Sequence, residues 1–328
     1  MILRISSLTL LTIFGFVGVY AQGPNGSDKY YKDADGKKGR LLKTALCGVI
    51  SRNYNQQSYS ALWTAYRTTD TKPGGVKMYD IYSNTSDFTY GTDQAGNYKK
   101  EGDKYNREHT FPKSWFGGKS YPMYTDLFHV MPSDGYVNSK RGNYPFGENN
   151  GEKYSSNNAY SKLGRCTTSG YSGIVFEPND EYKGDMARNY FYMATRYENE
   201  IANWSGDGGD VLSHDSYKPY KDWQMAMLLE WSKNDPVSPK EIDRNKAVYA
   251  IQKNRNPFID YPGLEEYIWG DKQNQAFSYD NYESVDAIIL VETEEQQQNN
   301  FIYDLQGRRV EVPTHGIYII NGKKIFIK

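Results

Sequence analysis

Within residues 106–141 a glutamate and a histidine stand side by side, Glu108 and His109, and an asparagine, Asn138, follows with Lys140 and Arg141 just behind it. A histidine titrates near neutrality, so it can take a proton from water at physiological pH. A carboxylate and an amide carbonyl are the oxygen donors a hard cation such as Mg²⁺ prefers, with waters and substrate oxygens completing its shell. Lys140 and Arg141 carry the charge that would hold a phosphate. A base, a cation site and a phosphate grip together suit attack of water on a phosphodiester. Each residue taken singly has a plainer reading: a structural histidine, a solvated carboxylate, a turn or cap amide, an exposed basic pair.

Adjacent residues on an extended strand face opposite ways, so Glu108 and His109 share a pocket only where a strand bends or ends. Pro112, three residues on, is consistent with such an end. The run from Ser133 to Arg141 reads as a short helix capped by Ser133, and it would carry Asn138. Around this segment, apolar spacing predicts a helix over residues 41–67 and short strands within 75–100, Val76 to Tyr82 among them. A further helix over 185–201 places Met186, Tyr190, Met193, Tyr197 and Ile201 on one stripe, and another covers about 223–233. A last one opens at Ser238, with Pro239 in its first turn and Glu241 closing a capping box, and it ends before Pro257. The mixture is α+β.

The chain of 328 residues is long enough for one large domain and a small one. Its 39 basic and 40 acidic side chains nearly cancel, so net charge gives no support to nucleic-acid binding and local chemistry must carry any such reading. Thirty-one tyrosines suit extensive half-exposed surface. Arg4, the apolar run from Leu8 to Val19 and the small residue Ala21 have the layout of an export signal cleaved after Ala21, in preference to a membrane anchor, for which the run is short. The expected divisions are a signal at 1–21, a main domain at 22–285, a polar linker at 286–300 and a small all-β module at 301–328, in which Asn321-Gly322 suits a two-residue hairpin turn. Cys47 and Cys166 would be free to pair in an oxidising compartment, which spacing alone leaves open.

A set of motifs sharpens this picture. REHTFPKSWF begins at Arg107, a DL pair at Asp126, PSDG at Pro132 and VNSKRGNYPFG at Val137. FEP at Phe176, KGDMAR at Lys183, YMATRY at Tyr192, DPVS at Asp235 and NRNPFID at Asn254 follow in order. Together they resemble the bacterial endonuclease I family of ββα-metal (His-Me finger) nucleases. The resemblance implies a ββα-metal core with surrounding helices, His109 as general base, and Glu108 and Asn138 as ligands of Mg²⁺, with Ca²⁺ or Mn²⁺ as alternatives. It implies cleavage of DNA, and often RNA, to 5′-phosphate and 3′-hydroxyl ends, and an arginine that steadies the phosphate, for which Arg141 and Arg188 are the candidates. Two positions depart from the pattern: Phe128 and Ser232 stand where many members have histidine. That leaves His129 either packed in the core or acting behind the site, and it keeps in view a catalytically inactive nucleic-acid-binding surface protein. His214 and His315 fall outside every motif. At the C-terminus, YDLQGRR from Tyr303 and GIYII from Gly316 resemble the sorting domains of the type IX secretion system, which would make that machinery a partner.

Overall fold

The computed structural model describes residues 22–282 and, by backbone, the strands Ile302–Tyr303, Arg309–Val310, Gly316–Ile320 and Lys323–Ile327. The export signal, the linker, the Asn321-Gly322 turn and His315 lie outside the described residues. The architecture is mixed α+β, with small antiparallel sheets among several helices. No helix of the described residues is long and apolar enough to cross a membrane.

Helix α1, Gly39–Ser51, buries Leu42, Leu46, Val49 and Ile50, the repeat of three and four expected of one apolar face. The single helix expected over 41–67 is in fact two, because α2 starts afresh at Ala61–Thr69. The polar run between them offers no apolar stripe, and Asn53 there takes a left-handed φ of 55° that a helix cannot contain. The strands expected within 75–100 do not form. Only isolated bridges appear, Thr71 with Met78, Lys77 with Thr89 and Gln94 with Tyr105. Asp80 explains part of this, since its Oδ1 accepts the backbone N–H groups of Tyr82, Ser83 and Asp134, which closes a turn and ties it to the next strand pair.

Strands β1, Tyr105–His109, and β2, Val130–Asp134, pair antiparallel, with Glu108 opposite Met131 and His109 opposite Val130. Helix α3, Gly135–Arg141, follows β2 without a loop. Its cap is Asp134, whose carboxylate accepts from the N–H groups of Tyr136 and Val137, and not Ser133 as the sequence suggested. Ser133 is a β2 residue, buried in the strand. Position 135 must be glycine, because a Cβ there would sit 2.6 Å from the Tyr98 ring.

A second sheet joins β3, Tyr154–Ser155, β4, Lys162–Arg165, and β5, Ile174–Glu177. Behind both sheets lie α4, Asp180–Arg196, α5, Asp222–Asn234, and α6, Pro239–Gln252. The helix expected over 185–201 starts at Asp180 and ends at Arg196, so Tyr197 is its cap and Ile201 lies in the next turn. All five expected stripe residues are buried, but so is most of the rest of the helix. The capping box of α6 forms as expected between Ser238 and Glu241. That helix ends at Lys253 in a left-handed conformation, ahead of Pro257, and Pro257 instead opens the short α7, Pro257–Asp260, with Asn256 as its cap. Helix α8, Leu264–Ile268, completes the main domain. The four C-terminal strands, β6 to β9 in chain order, form one antiparallel sheet in the order β7-β6-β8-β9.

Asp80 gives the fold a measurable pH response. Its Oδ2 is buried without a partner, and burial pushes the carboxyl up to about 7 against its backbone hydrogen bonds. A carboxyl with a higher value folded than unfolded stabilises most below its unfolded value of about 4, and that stabilisation is lost as pH rises through the folded value. Asp80→Asn keeps an acceptor oxygen and cannot ionise. Urea unfolding at about pH 5 and about pH 8 should show the variant gaining on the parent by up to about 3 kcal/mol at the higher pH. An unchanged difference would mean that Asp80 titrates as an ordinary carboxyl.

Candidate active site

Strand β1 ends at His109, and this end lets two neighbouring side chains serve one groove. Glu108, His109 and Asn138 all line a depression of about 490 Å³, together with Tyr59, Arg107 and Lys113. The sequence-predicted base and both predicted cation ligands are therefore brought together. Arg141 is placed directly behind them, and Arg188 is not among the lining residues.

Glu108 is buried, and its Oε1 accepts from the Tyr82 hydroxyl at 2.8 Å and from Nη1 of Arg141 at 2.7 Å. Neither bond uses Oε2. Burial raises the carboxyl above the usual range, while the Arg141 charge opposes that shift. Arg141 closes α3 and is wholly buried, so it is not the exposed basic pair member that its sequence neighbours suggested. Its guanidinium also donates to the carbonyls of His109 at 2.9 Å and Thr110 at 2.7 Å. One side chain thus fixes the carboxylate and the backbone that carries the histidine.

His109 places Nε2 3.0 Å from the carbonyl oxygen of Tyr124. A carbonyl only accepts, so the geometry assigns the proton to Nε2 and leaves a lone pair on Nδ1. The ring stacks on Tyr124 at 5.3 Å and on Tyr59 at 6.2 Å. Burial, then the neighbouring His129, lower its pKa well below the ordinary value, so the neutral form prevails near pH 7. His129 is packed in the core, donating from Nε2 to the Met123 carbonyl, with its ring 5.5 Å from that of His109. His214 is exposed and is not among the groove-lining residues.

Asn138 lies half-buried on α3, and its amide makes no hydrogen bond among the described residues. No cluster of three His, Cys, Asp or Glu side chains that could hold a metal occurs among those residues. A cation here would therefore have few protein ligands, the regime in which Mg²⁺ keeps several waters.

The two departures from the motif pattern are absorbed by packing. Phe128 lies against Tyr192 with centroids 4.6 Å apart, and Ser232 donates to Glu265 at 2.5 Å. Arg188 is buried on α4 in a two-pronged ion pair with Glu241 of α6, at 2.6 and 2.9 Å. Cys47 and Cys166 are both free thiols. Lys140 reaches over the Tyr136 ring, 4.8 Å from its centroid.

Sequence reasoning missed three groove residues. Lys113 lies inside the REHTFPKSWF motif and has no ion pair among the described residues, so its place four positions after the base was an available signal. Arg107 lies with its guanidinium carbon 3.5 Å from the Tyr59 ring centroid and 4.2 Å from that of Trp63. Tyr59 stands far upstream with nothing in its neighbourhood to mark it; only folding brings it to His109.

Comparison with known proteins gives the family. Residues 38–263 match the family described as endonuclease I. An extracellular ribonuclease of Bacillus amyloliquefaciens is 38% identical over 252 residues, covering 74% of this chain and 78% of its own. That of Bacillus subtilis (strain 168) is 38% identical over 247 residues, covering 74% and 79%. A periplasmic deoxyribonuclease of Aeromonas hydrophila is 28% identical over 139 residues, covering 42% and 48%. With most of its described length matched and the groove residues inside the matched span, the chain belongs to the endonuclease I family and is a nuclease enzyme.

Proposed function

We propose that the chain is an exported, metal-dependent endonuclease that hydrolyses phosphodiester bonds in RNA and DNA with little sequence preference. The observation that carries this reading is the meeting of His109, Glu108 and Asn138 on one groove. Nδ1 of His109 accepts a proton from the attacking water, and the Tyr124 carbonyl keeps the other nitrogen protonated. Glu108, through the oxygen its hydrogen bonds leave unused, and Asn138, through its unpartnered amide, would hold the cation. When bound, Mg²⁺ (with Mn²⁺ or Ca²⁺ as substitutes) supplies charge that stabilises the phosphate and the departing oxygen. Lys113 adds positive charge on the groove wall, the role sequence comparison gave to Arg141 or Arg188. Water as nucleophile, with the P–O3′ bond breaking and the 3′ oxygen leaving, would give the 5′-phosphate and 3′-hydroxyl ends that the family resemblance implies. The ribonuclease names of the 38% identical relatives favour RNA as a substrate, and the deoxyribonuclease name supports DNA. Their extracellular and periplasmic descriptions support export, with the C-terminal strands as the candidate contact for secretion machinery.

The test is cleavage of supercoiled plasmid and of single-stranded RNA with Mg²⁺ or with EDTA. Cutting should require the cation. Glu108→Gln should raise the Mg²⁺ concentration needed by at least the 10–100-fold that loss of an outer partner typically costs, roughly speaking. Cutting undiminished in EDTA would overturn the reading.

A further inference from the structure

Segment 52–60, which interrupts the two N-terminal helices, touches three separate depressions in succession. Tyr59 lines the active groove. Gln57 lines a second hollow of about 430 Å³ beside α2, with Arg67 and Ile251 on its walls. Asn53 lines a third, of about 390 Å³, at the end of α6, with Arg52, Tyr249 and Lys253. Tyr59 follows Asn53 by six positions, so the backbone between them spans at most about 20 Å.

The chemistry of the two outer hollows is one-sided. Lys29, Arg52, Lys253 and Arg67 line them and no aspartate or glutamate does, in a chain whose 39 basic and 40 acidic residues balance. By contrast, a hollow near α5 is lined by Glu148, Asp180, Glu230 and Asp235 with Lys183. Arg52 does pair with Asp33 at 2.6 Å, but both side chains are more than half exposed, and such a pair yields readily to a competing anion. Tyr249 is 39% exposed and offers an aromatic surface between the charges. Cations lining a surface together with an exposed aromatic ring are the means by which single-stranded nucleic acid is bound without regard to sequence.

We propose that a single-stranded polynucleotide held at His109 continues along this segment, with phosphates over Arg67, Lys253 and Arg52 and a base against Tyr249. The direction of the track rests on the nuclease reading of the groove, but its occupancy is read without catalysis. The experiment measures anisotropy of a labelled 20-nucleotide RNA and of a trinucleotide in EDTA, for the full chain and for a combined Arg52→Gln, Arg67→Gln, Lys253→Gln variant. All three positions are exposed, and a matching thermal melt checks the fold. At a slope of about 0.7 per phosphate contact, the dependence of log Kd on log salt should fall by about 2 for the 20-mer, and its Kd should rise about tenfold. The trinucleotide should change less than about twofold, being too short to reach beyond the groove. An unchanged salt slope, or an equal loss on the trinucleotide, overturns the track. Mg²⁺-dependent cleavage is assayed on the same preparations, so its absence alongside normal 20-mer binding would count against the nuclease reading and not against the track.

Discussion

Replacing His109 by alanine should lower the turnover of RNA or plasmid by about 10²–10⁴-fold, the usual contribution of a general base. The assignment follows from direction as much as from proximity. Nε2 is committed to the Tyr124 carbonyl, so Nδ1 is the nitrogen with a lone pair to offer. The substitution also removes a buried ring stacked on Tyr124, so lost activity must be separated from lost fold. His109→Gln serves for this, because its amide N–H can still reach the carbonyl while no side-chain nitrogen can act as base. Both variants should melt cooperatively and bind nucleic acid in EDTA, yet both should be nearly inert with Mg²⁺. Full activity in either would remove this imidazole from the mechanism.

Arg141→Ala is expected to be the most destabilising single change near the site, at about 3–5 kcal/mol, because it strands the buried Glu108 carboxylate without its counter-charge. A structural role alone would predict lost stability and nothing more. Arg141→Lys separates the two effects. The lysine keeps a charge near Glu108, but a single ammonium on a flexible stem cannot reproduce a guanidinium fixed on Glu108, His109 and Thr110 together. Its folded form should need more Mg²⁺ for half-maximal activity, by about tenfold or more, with a smaller loss at saturating cation. If the lysine variant folded and gave the parent's Mg²⁺ titration, Arg141 would be only a brace for the fold.

The proposed trio was legible through the resemblance of its surroundings, since each residue taken singly had a plainer reading. Glu108, His109 and Asn138 sit in an ordered set of motifs whose family resemblance implies acid–base and oxygen-donor roles, and the end of β1 is marked by a nearby proline. The helices α4 to α6 were legible too, since periodicity and caps are short-range properties. What could not be read were decisions taken at long range. Nothing in Arg188 says that it will spend its charge on Glu241, or in Arg141 that it will turn inward beneath Glu108. Ser133 resembled a cap, and its neighbour Asp134 outcompeted it because the strand runs on one residue further. The segment from Val76 to Tyr82 looked like a strand by composition, yet Asp80 claimed backbone N–H groups that a ladder would have used.

The oxygen that orients the His109 ring belongs to the main chain at position 124, and every amino acid offers the same one there. Side-chain drift at that position can therefore alter the ring packed against His109 while leaving untouched which nitrogen is basic. The tautomer and the packing of the ring are in this way separately heritable, and descendants of such a scaffold can vary the second without resetting the first.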